Sequence, residues 1–183
     1  MRVRVVNVGK PRTVAWKGRS VSTGFFKSPV RGDVRLSRLN LEGDGQADLR
    51  VHGGAEKAVY AYPWEHYAVW QNEMPDVVFT PGAFGENLTV EGLLEDAVEI
   101  GDQFQVGTAV LTATQPRTPC YKLGVRFGRD DMVRRFALAR RPGMYFRVEQ
   151  EGTLHQGVAI TRVAQSGSGL TVLAMFDMML RRA

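Results

Sequence analysis

The chain of 183 residues contains a single cysteine and only three histidines. One cysteine excludes an intramolecular disulfide, so nothing in the sequence requires an oxidising compartment. No apolar run is long enough to span a membrane, and the N-terminal residues lack the apolar core and cleavage site of a signal peptide. We therefore expect a cytoplasmic protein that has no membrane partner.

Several catalytic signatures are absent as well. The histidines His52, His66 and His155 do not occur in HExxH or Cys/His spacing, so a metal site built from protein ligands alone is only weakly indicated. The chain has no GxSxG elbow of a serine hydrolase and no Walker or dinucleotide-binding loop. A cysteine hydrolase that pairs Cys120 with His52 or His155 is an alternative function, although no local signature supports it.

Acidic residues are outnumbered, with 19 Asp and Glu against 24 Lys and Arg, which gives a net charge of +5. Arginine accounts for most of the basic residues, and because it binds phosphate and carboxylate through two parallel hydrogen bonds, an anionic ligand is one explanation. Codon bias in a GC-rich genome is the other. The chain has no basic tail and no aromatic–basic interleaving, so nucleic acid is an unlikely partner.

The composition, 44% apolar and 23% charged, favours one ordinary globular domain. Short β-prone runs separated by glycine-containing turns predict a mainly β protein with peripheral helices, either a barrel or a sandwich. The predicted strands cover residues 2–8, 33–41, 57–62, 98–100, 104–106, 109–114, 144–150, 153–155 and 160–163. Two-residue turns at 107–108 and 151–152 predict two hairpins, each joining the strands beside it.

Three helices are predicted from apolar residues at helical spacing. They cover residues 63–74, residues 130–141 and the stretch from Thr171 to the C-terminus. Asp130 or Asp131 can cap the second helix. Residues 165–169 read as a linker between the strand-rich body and the last helix.

Cys120 is the first candidate for chemistry. It follows a predicted strand and sits behind Pro116 and Pro119, which fix the backbone and remove hydrogen-bond donors. Arg117 and Lys122 flank it, and cationic neighbours favour the thiolate that attacks electrophiles or binds metal. The alternative is a small buried hydrophobic residue, the ordinary role of a lone cysteine.

Two glycine-rich loops are further candidates. Residues 43–48 lead to His52, Gly53 and Gly54, where backbone N–H groups could approach an anion and the imidazole could bind metal or move a proton. Residues 81–89 surround Asn87, whose amide can both donate and accept hydrogen bonds. Each loop also has a structural explanation, a tight turn in the first case and an ordinary entry to a strand in the second.

Taken together, the motifs resemble the MOSC domain, named after the C-terminal domain of molybdenum cofactor sulfurases. The resemblance covers roughly residues 5–163 and is strongest to the stand-alone bacterial type, which includes YiiM-like proteins. The motifs that carry it are, in order, GDGQAD, HGG, KAVYAYP, PGAFGENLTV, IGD, QPRTPCYKL and RPGMYFRV.

The resemblance implies a β-barrel over residues 1–164 and a molybdenum cofactor in which a pterin dithiolene holds the metal. Cys120 would be the molybdenum ligand or a sulfur acceptor, and His52 would be a second catalytic residue. The implied cofactor-binding residues are Arg117, Asn87, Lys57, Gly53, Gly54 and Tyr145. No pyridoxal phosphate is expected, because the aminotransferase part of the sulfurases is missing.

Two functions follow from the resemblance. The first is reduction of small N-hydroxylated compounds with electrons from a separate reductase, since no motif here binds flavin, NAD or an iron–sulfur cluster. The second is a non-catalytic carrier that holds sulfur or the cofactor on the single cysteine. Molybdenum content with turnover would favour the first, and a persulfide without turnover would favour the second.

The C-terminal residues depart from the family pattern. YiiM-like members usually continue into a three-helix module, so residues 165–183 are interpreted as a linker and a helix that is a remnant of, or a replacement for, that module. The helix carries apolar residues on two strips, and a helix that is apolar most of the way round is usually buried on more than one side. We therefore predict a homodimer formed through this helix.

Overall fold

The computed structural model describes residues 1–47 and 53–182. In these ranges the protein is mainly β with short helices, as the sequence predicts. The strands are β1 (Arg2–Val8), β2 (Arg12–Trp16), β3 (Arg19–Thr23), β4 (Ser28–Val30), β5 (Val34–Leu36), β6 (Val59–Pro63), β7 (Leu88–Glu91), β8 (Gln103–Val106), β9 (Ala109–Pro116), β10 (Met144–Gln150), β11 (Gly152–Leu154) and β12 (Ile160–Ala164). The helices are α1 (Glu65–Glu73), α2 (Lys122–Phe127), α3 (Met132–Ala139) and α4 (Val172–Leu180), with a 3₁₀ turn at Ala55–Lys57.

Eight strands form one sheet in the order β12-β8-β9-β10-β6-β7-β1-β4, in which only the β6–β7 pair is parallel. Closure into a barrel requires its two end strands to pair. Over the residues described, β4 and β12 do not pair with each other, so the predicted barrel is not supported. A single bridge between Arg2 and Ala159 is the nearest approach to closure. Pro29 in β4 lacks an N–H, which suits a strand at the edge of a sheet.

One predicted hairpin is confirmed and the other is wrong. Strands β8 and β9 pair across the two-residue turn at 107–108, with Val106 opposite Ala109. Strand β10 pairs with β9 along its length and with β6 over Met144–Phe146, but it does not pair with β11. Strand β11 pairs instead with β5 in a separate small sheet. Strands β2 and β3, which the sequence did not predict, form a second two-stranded sheet.

The helices begin close to the predicted positions, with one omission. Pro63 ends β6 rather than opening α1, and Asp131 precedes α3 without capping it through its side chain. Thr171 does cap α4, since its hydroxyl accepts a hydrogen bond from the N–H of Ala174 at 3.1 Å. Helix α2 was missed, and residues 98–100, predicted as a strand, lie in turns apart from a bridge between Glu99 and Thr171. None of the helices in the described ranges combines the length and apolar character needed to cross a membrane.

Two apolar clusters hold these elements together. The first lies along the main sheet and contains valine, leucine and alanine side chains from nearly every strand. The second is aromatic and joins α1, α2 and α3, with Phe84 stacked on Tyr62 at 4.4 Å between ring centroids. Leu123 of α2 is fully buried in this aromatic cluster. Its burial fixes the chain three residues after Cys120.

The C-terminal residues pack on the body of the protein. The N–H of Ser166 donates to Asp102 at 2.9 Å, and the N–H of Val172 donates to the carbonyl of Val98 at 2.9 Å. Val172 and Phe176 are fully buried, and Val172 belongs to the core of the main sheet. A domain boundary at residue 164 stays a prediction.

Candidate functional site

A cleft that opens to solvent lies where β9 ends and α2 begins, and its empty space, counted with the open solvent at its entrance, is about 540 Å³. Its walls come from six segments that are far apart in sequence: the end of β3, the 44–47 loop, the start of β6, the residues before β7, the residues around Cys120, and β10. The lining residues are Thr23, Gly24, Phe25, Lys27, Asp44, Gly45, Gln46, Ala47, Lys57, Tyr60, Gly85, Asn87, Arg117, Cys120, Lys122 and Tyr145.

The wall after β3 and the wall formed by the 44–47 loop make a close backbone contact at Gly24. A Cβ placed on Gly24 would lie 2.5 Å from the carbonyl oxygen of Gly45, which is closer than real contacts allow. Only glycine therefore lets the backbone after β3 pass against the 44–47 loop. Gly45 of the 44–47 loop is also closely packed, since a Cβ placed on it would lie 2.7 Å from Cδ of Pro11.

Cys120 lies two residues before the start of α2, and its thiol is free and half-buried. Strand β9 ends at Pro116, and the carbonyl of Cys120 accepts a hydrogen bond from the N–H of Leu123 at 3.0 Å, which starts the first helical turn. Since Leu123 is anchored in the aromatic cluster, the thiol is presented to the cleft from a fixed backbone.

Arg117 is a buried cation in the same cleft, with 7% of its surface exposed. Its Nη1 donates to the carbonyl oxygen of Phe84 at 2.6 Å. Its guanidinium lies 4.5 Å from the ring centroid of Phe25 and 5.0 Å from that of Tyr60. The single hydrogen bond to a carbonyl and the two aromatic faces hold the charge in place without neutralising it.

The electrostatics of the cleft keep Arg117 charged. Burial by itself would lower the pKa of Arg117, but the neighbouring Tyr145, Tyr60 and Cys120 raise it above its ordinary value. Cys120 is thus close enough to Arg117 to act on its charge. A permanent positive charge therefore lies near the thiol.

Burial raises the pKa of both Tyr60 and Tyr145, in each case against the opposing effect of Arg117. Their hydroxyl groups therefore stay protonated at neutral pH. The hydroxyl of Tyr60 donates to the carbonyl of Pro142 at 2.7 Å. Tyr145 lies beside it, with 5.0 Å between the ring centroids.

A buried ion pair, which the sequence analysis missed, forms the opposite wall. Lys27 donates to Asp44, and the side chains are only 7% and 1% exposed. Asp44 also accepts from the N–H of Gly9 at 2.9 Å and from Nδ2 of Asn87 at 2.8 Å. Burial lowers the pKa of Lys27, and the attraction of Asp44 opposes that effect.

Asn87 lines the cleft, but its amide is already engaged by the protein. Its Oδ1 accepts from the N–H of Tyr60 at 3.1 Å, and its Nδ2 donates to Asp44 and, at 3.5 Å, to the carbonyl of Asn7. Asn87 therefore links β6 to the Lys27–Asp44 pair through hydrogen bonds. Its predicted role as a direct cofactor ligand stays a prediction.

The loop that carries Asn87 is fixed by a fully buried carboxylate. Glu86 accepts hydrogen bonds from the N–H groups of Gly82 at 2.8 Å and Phe84 at 3.1 Å, and from the hydroxyl of Thr89 at 2.8 Å. Burial raises the pKa of Glu86, and hydrogen bonds from the Tyr67 hydroxyl, the Gly82 N–H and the Thr89 hydroxyl oppose the shift. The carboxylate thereby orients the Phe84 carbonyl that receives Arg117.

The remaining predicted residues divide into three groups. Lys57 lies in the cleft, with its Nζ 6.0 Å from the ring centroid of Tyr145. Gly53 and Gly54 are not among the cleft-lining residues in the part of the chain described, although Gly54 opens the 3₁₀ turn that carries Lys57 with a φ of +89°. His52 lies outside the described residues.

The cleft is cationic. Four of its lining residues are basic, namely Lys27, Lys57, Arg117 and Lys122, and one, Asp44, is acidic. Within residues 1–47 and 53–182, no three His, Cys, Asp or Glu side chains come close enough to hold a metal ion by themselves. The excess of basic over acidic lining residues suits an anionic ligand.

The sequence carried a partial signal for the residues that were missed. Asp44 belongs to the glycine-rich loop that was singled out, and Lys122 was noted only as a neighbour of the cysteine. Lys27 lies in a short stretch without any motif or periodicity. Only the fold reveals that it faces Asp44.

Comparison with known proteins gives consistent matches. The MOSC domain family matches residues 48–161. YflK of Bacillus subtilis strain 168, described as uncharacterized, is 44% identical over 167 residues, which cover 91% of this chain and 75% of that protein. Protein YiiM of Escherichia coli K12 is 35% identical over 166 residues, which cover 90% of this chain and 69% of YiiM.

A more distant relative and a solved structure extend the comparison. A protein named Reductase from Gibberella moniliformis is 33% identical over 147 residues, which cover 79% of this chain but only 26% of that protein. The crystal structure of YiiM from Geobacillus stearothermophilus superposes with a TM-score of 0.82 at 34% identity, and covers 99% of this chain and 84% of the solved one.

Proposed function

This chain belongs to the MOSC domain family as a YiiM-like member, and on that premise we propose that it binds the molybdenum cofactor and reduces N-hydroxylated compounds. The observation that carries the proposal is the half-buried thiol of Cys120 near the buried charge of Arg117, inside a cationic cleft. The Reductase name of one relative is consistent with redox chemistry.

The residues of the cleft fit the cofactor. Soft thiolate is a good ligand for a metal in a sulfur-rich environment, and Cys120 supplies one. The pterin and phosphate of the cofactor need hydrogen-bond donors and positive charge, which Arg117, Lys57 and Lys122 supply. When bound, the cofactor would supply the two-electron chemistry that no side chain of this cleft can perform.

The chain's own residues would then have distinct roles. Cys120 would hold the metal, and Arg117 would hold an anionic group of the cofactor and orient the thiolate. The protonated hydroxyl of Tyr145 can donate a hydrogen bond to a bound ligand. Asn87 would keep the Lys27–Asp44 pair in position. Direct contacts from Gly53, Gly54 and His52 are part of the proposal.

The proposed reaction consumes two electrons and two protons. It converts R–NH–OH into R–NH2 and water, so the N–O bond breaks, one proton goes to the nitrogen and the other joins the leaving hydroxyl to form water. Because the sequence has no motif for flavin, NAD or an iron–sulfur cluster, a separate reductase would supply the electrons. Because the single cysteine is free and no disulfide requires an oxidising compartment, we propose that the protein is cytoplasmic.

The proposal is tested with protein produced in a host that makes the cofactor. Elemental analysis should find stoichiometric molybdenum, and the protein should reduce an N-hydroxylated base when a small artificial reductant is supplied. Molybdenum-free protein from such a host would contradict the proposal. A persulfide on Cys120 without turnover would support the alternative of a sulfur or cofactor carrier.

Arg117→Met should lower the retention of the cofactor more than it lowers the stability of the fold. Methionine fills the space between the aromatic rings but lacks the charge, so one charge-assisted hydrogen bond worth on the order of 1.5–3 kcal/mol is lost. Molybdenum per chain after dialysis and the melting temperature of cofactor-free protein are the two measurements. Arg117→Lys is the control that keeps the charge. Full molybdenum retention by the methionine variant would rule out the anion-binding role.

We also propose that the protein forms a dimer through α4. Val172 and Phe176 of this helix are buried in the body, but Met178 is 47% exposed. Light scattering after size exclusion should report a dimer at micromolar concentration and a monomer for Met178→Glu. Val78→Glu, which alters an exposed apolar residue outside the helix, is the control. A monomeric wild-type protein would exclude this arrangement.

A further inference from the structure

A two-stranded ribbon projects beside the cleft. Strands β2 and β3 pair with each other, Val14 opposite Val21 and Trp16 opposite Arg19, and with no other strand in the part of the chain described. A two-stranded sheet is at best marginally stable by itself, so the ribbon needs support from the rest of the protein.

That support comes from the helix that follows Cys120. A Cβ placed on Gly124 of α2 would lie 3.6 Å from Cζ2 of Trp16, so the tryptophan ring lies over the helix. Lys17 at the turn forms an ion pair with Asp130 at 2.6 Å. The ribbon is therefore anchored at its tip, while Thr23 at its other end lines the cleft.

A depression lies between the ribbon and the residue next to Cys120. Its lining residues are Trp16, Lys17, Arg19, Ser20, Val21 and Tyr121. Tyr121 is 57% exposed, although it directly follows the half-buried Cys120. A molecule seated in this depression would thus lie next to the proposed metal ligand without entering the cleft.

Basic residues are concentrated in the two chain segments that contribute to the depression. Residues 10–23 and 117–129 each contain four Lys or Arg and no Asp or Glu, so they hold eight of the chain's 24 basic residues. Lys10, Arg12 and Arg19 are exposed and form no ion pair with a carboxylate among residues 1–47 and 53–182. An exposed aromatic residue with a basic rim is a common composition for a protein-binding surface.

We propose that this basic face, defined by Lys10, Arg12, Arg19 and Tyr121, docks an acidic electron-carrier protein. The inference rests on the proposed function, which requires two electrons per N–O bond and a donor outside this chain. Charge complementarity selects an acidic partner and raises the rate of encounter. Because the exposed Tyr121 directly follows Cys120, a partner bound to this face would lie close to Cys120.

The experiment uses the double charge reversal Lys10→Glu/Arg19→Glu in the molybdenum-loaded full chain. The first measurement is the turnover of an N-hydroxylated base driven by reduced flavodoxin, an acidic flavoprotein, compared with turnover driven by reduced methyl viologen. The second is the dissociation constant for oxidised flavodoxin at low and high salt, which does not depend on turnover. The matched control is Arg31→Glu/Arg35→Glu, which makes the same charge change on exposed residues outside the basic face.

The double reversal should lower the flavodoxin-driven rate and weaken flavodoxin binding by at least about tenfold at low salt, because rim charges mainly govern encounter. The difference should shrink as salt screens the charges. Viologen-driven turnover should equal that of the wild type, and the control should behave as the wild type throughout.

Three results would overturn the inference. They are unchanged flavodoxin binding in the double reversal, an equal loss in the Arg31→Glu/Arg35→Glu control, and tighter binding of a single-stranded oligonucleotide than of flavodoxin at the basic face. Failure of the proposed function has a different signature. In that case wild-type protein would show no viologen-driven turnover, while the binding measurement would still decide whether the face docks an acidic protein.

Discussion

Replacing Cys120 with serine is expected to abolish molybdenum-dependent reduction of N-hydroxylated substrates while leaving the fold intact. A serine hydroxyl is a far poorer soft ligand than a thiolate and cannot carry a persulfide, so both proposed functions are lost. The thiol is half-buried at the cleft, so its exchange for a hydroxyl should change the free energy of unfolding by less than about 1 kcal/mol. Turnover, molybdenum per chain and the melting temperature are measured together.

Thr118→Ser is the matched control for this experiment. Thr118 is exposed and lies two residues before Cys120 on the same loop, so the variant tests whether a small side-chain change there is enough to stop turnover. Wild-type turnover by the Cys120→Ser variant at unchanged molybdenum content would contradict the role of Cys120 as metal ligand or sulfur carrier. A large loss of stability with normal molybdenum content would instead identify Cys120 as a core residue.

The sequence predicted the local elements of this fold better than their partners. Strands such as β1 and β9 carry a continuous β-prone pattern, so their limits could be inferred. The partner of β11 could not, because β11 pairs with β5, a strand more than 110 residues earlier in the chain, and a local glycine turn carries no information about so distant a partner. The open edge at β4 likewise depends on long-range pairing that no local pattern encodes.

The site shows the same division. Motif spacing brought attention to Cys120, Arg117 and Asn87, and the fold places all three on one cleft. The motif could not reveal that the amide of Asn87 is engaged by Asp44 and a backbone N–H. It also could not reveal the Lys27–Asp44 pair, since burial and ion pairing between residues far apart in sequence arise only from packing.

Asp44→Ala is expected to destabilise the protein by about 3–5 kcal/mol, because it leaves the buried ammonium of Lys27 without its partner. The N–H of Gly9 and the amide of Asn87 lose an acceptor as well. Chemical denaturation of cofactor-free protein measures the loss. A variant within about 1 kcal/mol of the wild type would show that the pair contributes little.

The pH dependence of the stability loss in Asp44→Ala shows whether the unpaired charge of Lys27 or the cavity left by the substitution causes it. In the folded protein the pKa of Lys27 is lowered from its ordinary value of 10.5 by burial, while Asp44 opposes the shift. Between the lowered pKa and 10.5 the unfolded chain binds more protons than the folded one, so stability rises with pH in that window. Removal of Asp44 lowers the pKa of Lys27 further and extends the window towards neutrality. The deficit of Asp44→Ala should therefore shrink from about pH 7 to about pH 10.

The double variant Lys27→Met/Asp44→Ala is the control for this window, since it has no buried ammonium to titrate. It should be less destabilised than the sum of the two single variants by up to about 3 kcal/mol, which is the coupling expected for residues in direct contact. Its stability relative to the wild type should also lack the rise with pH that Asp44→Ala gains from Lys27. If Asp44→Ala and the double variant kept a constant difference across this pH range, the deficit would come from the cavity and the lost hydrogen bonds. The buried charge of Lys27 would then not be the cause.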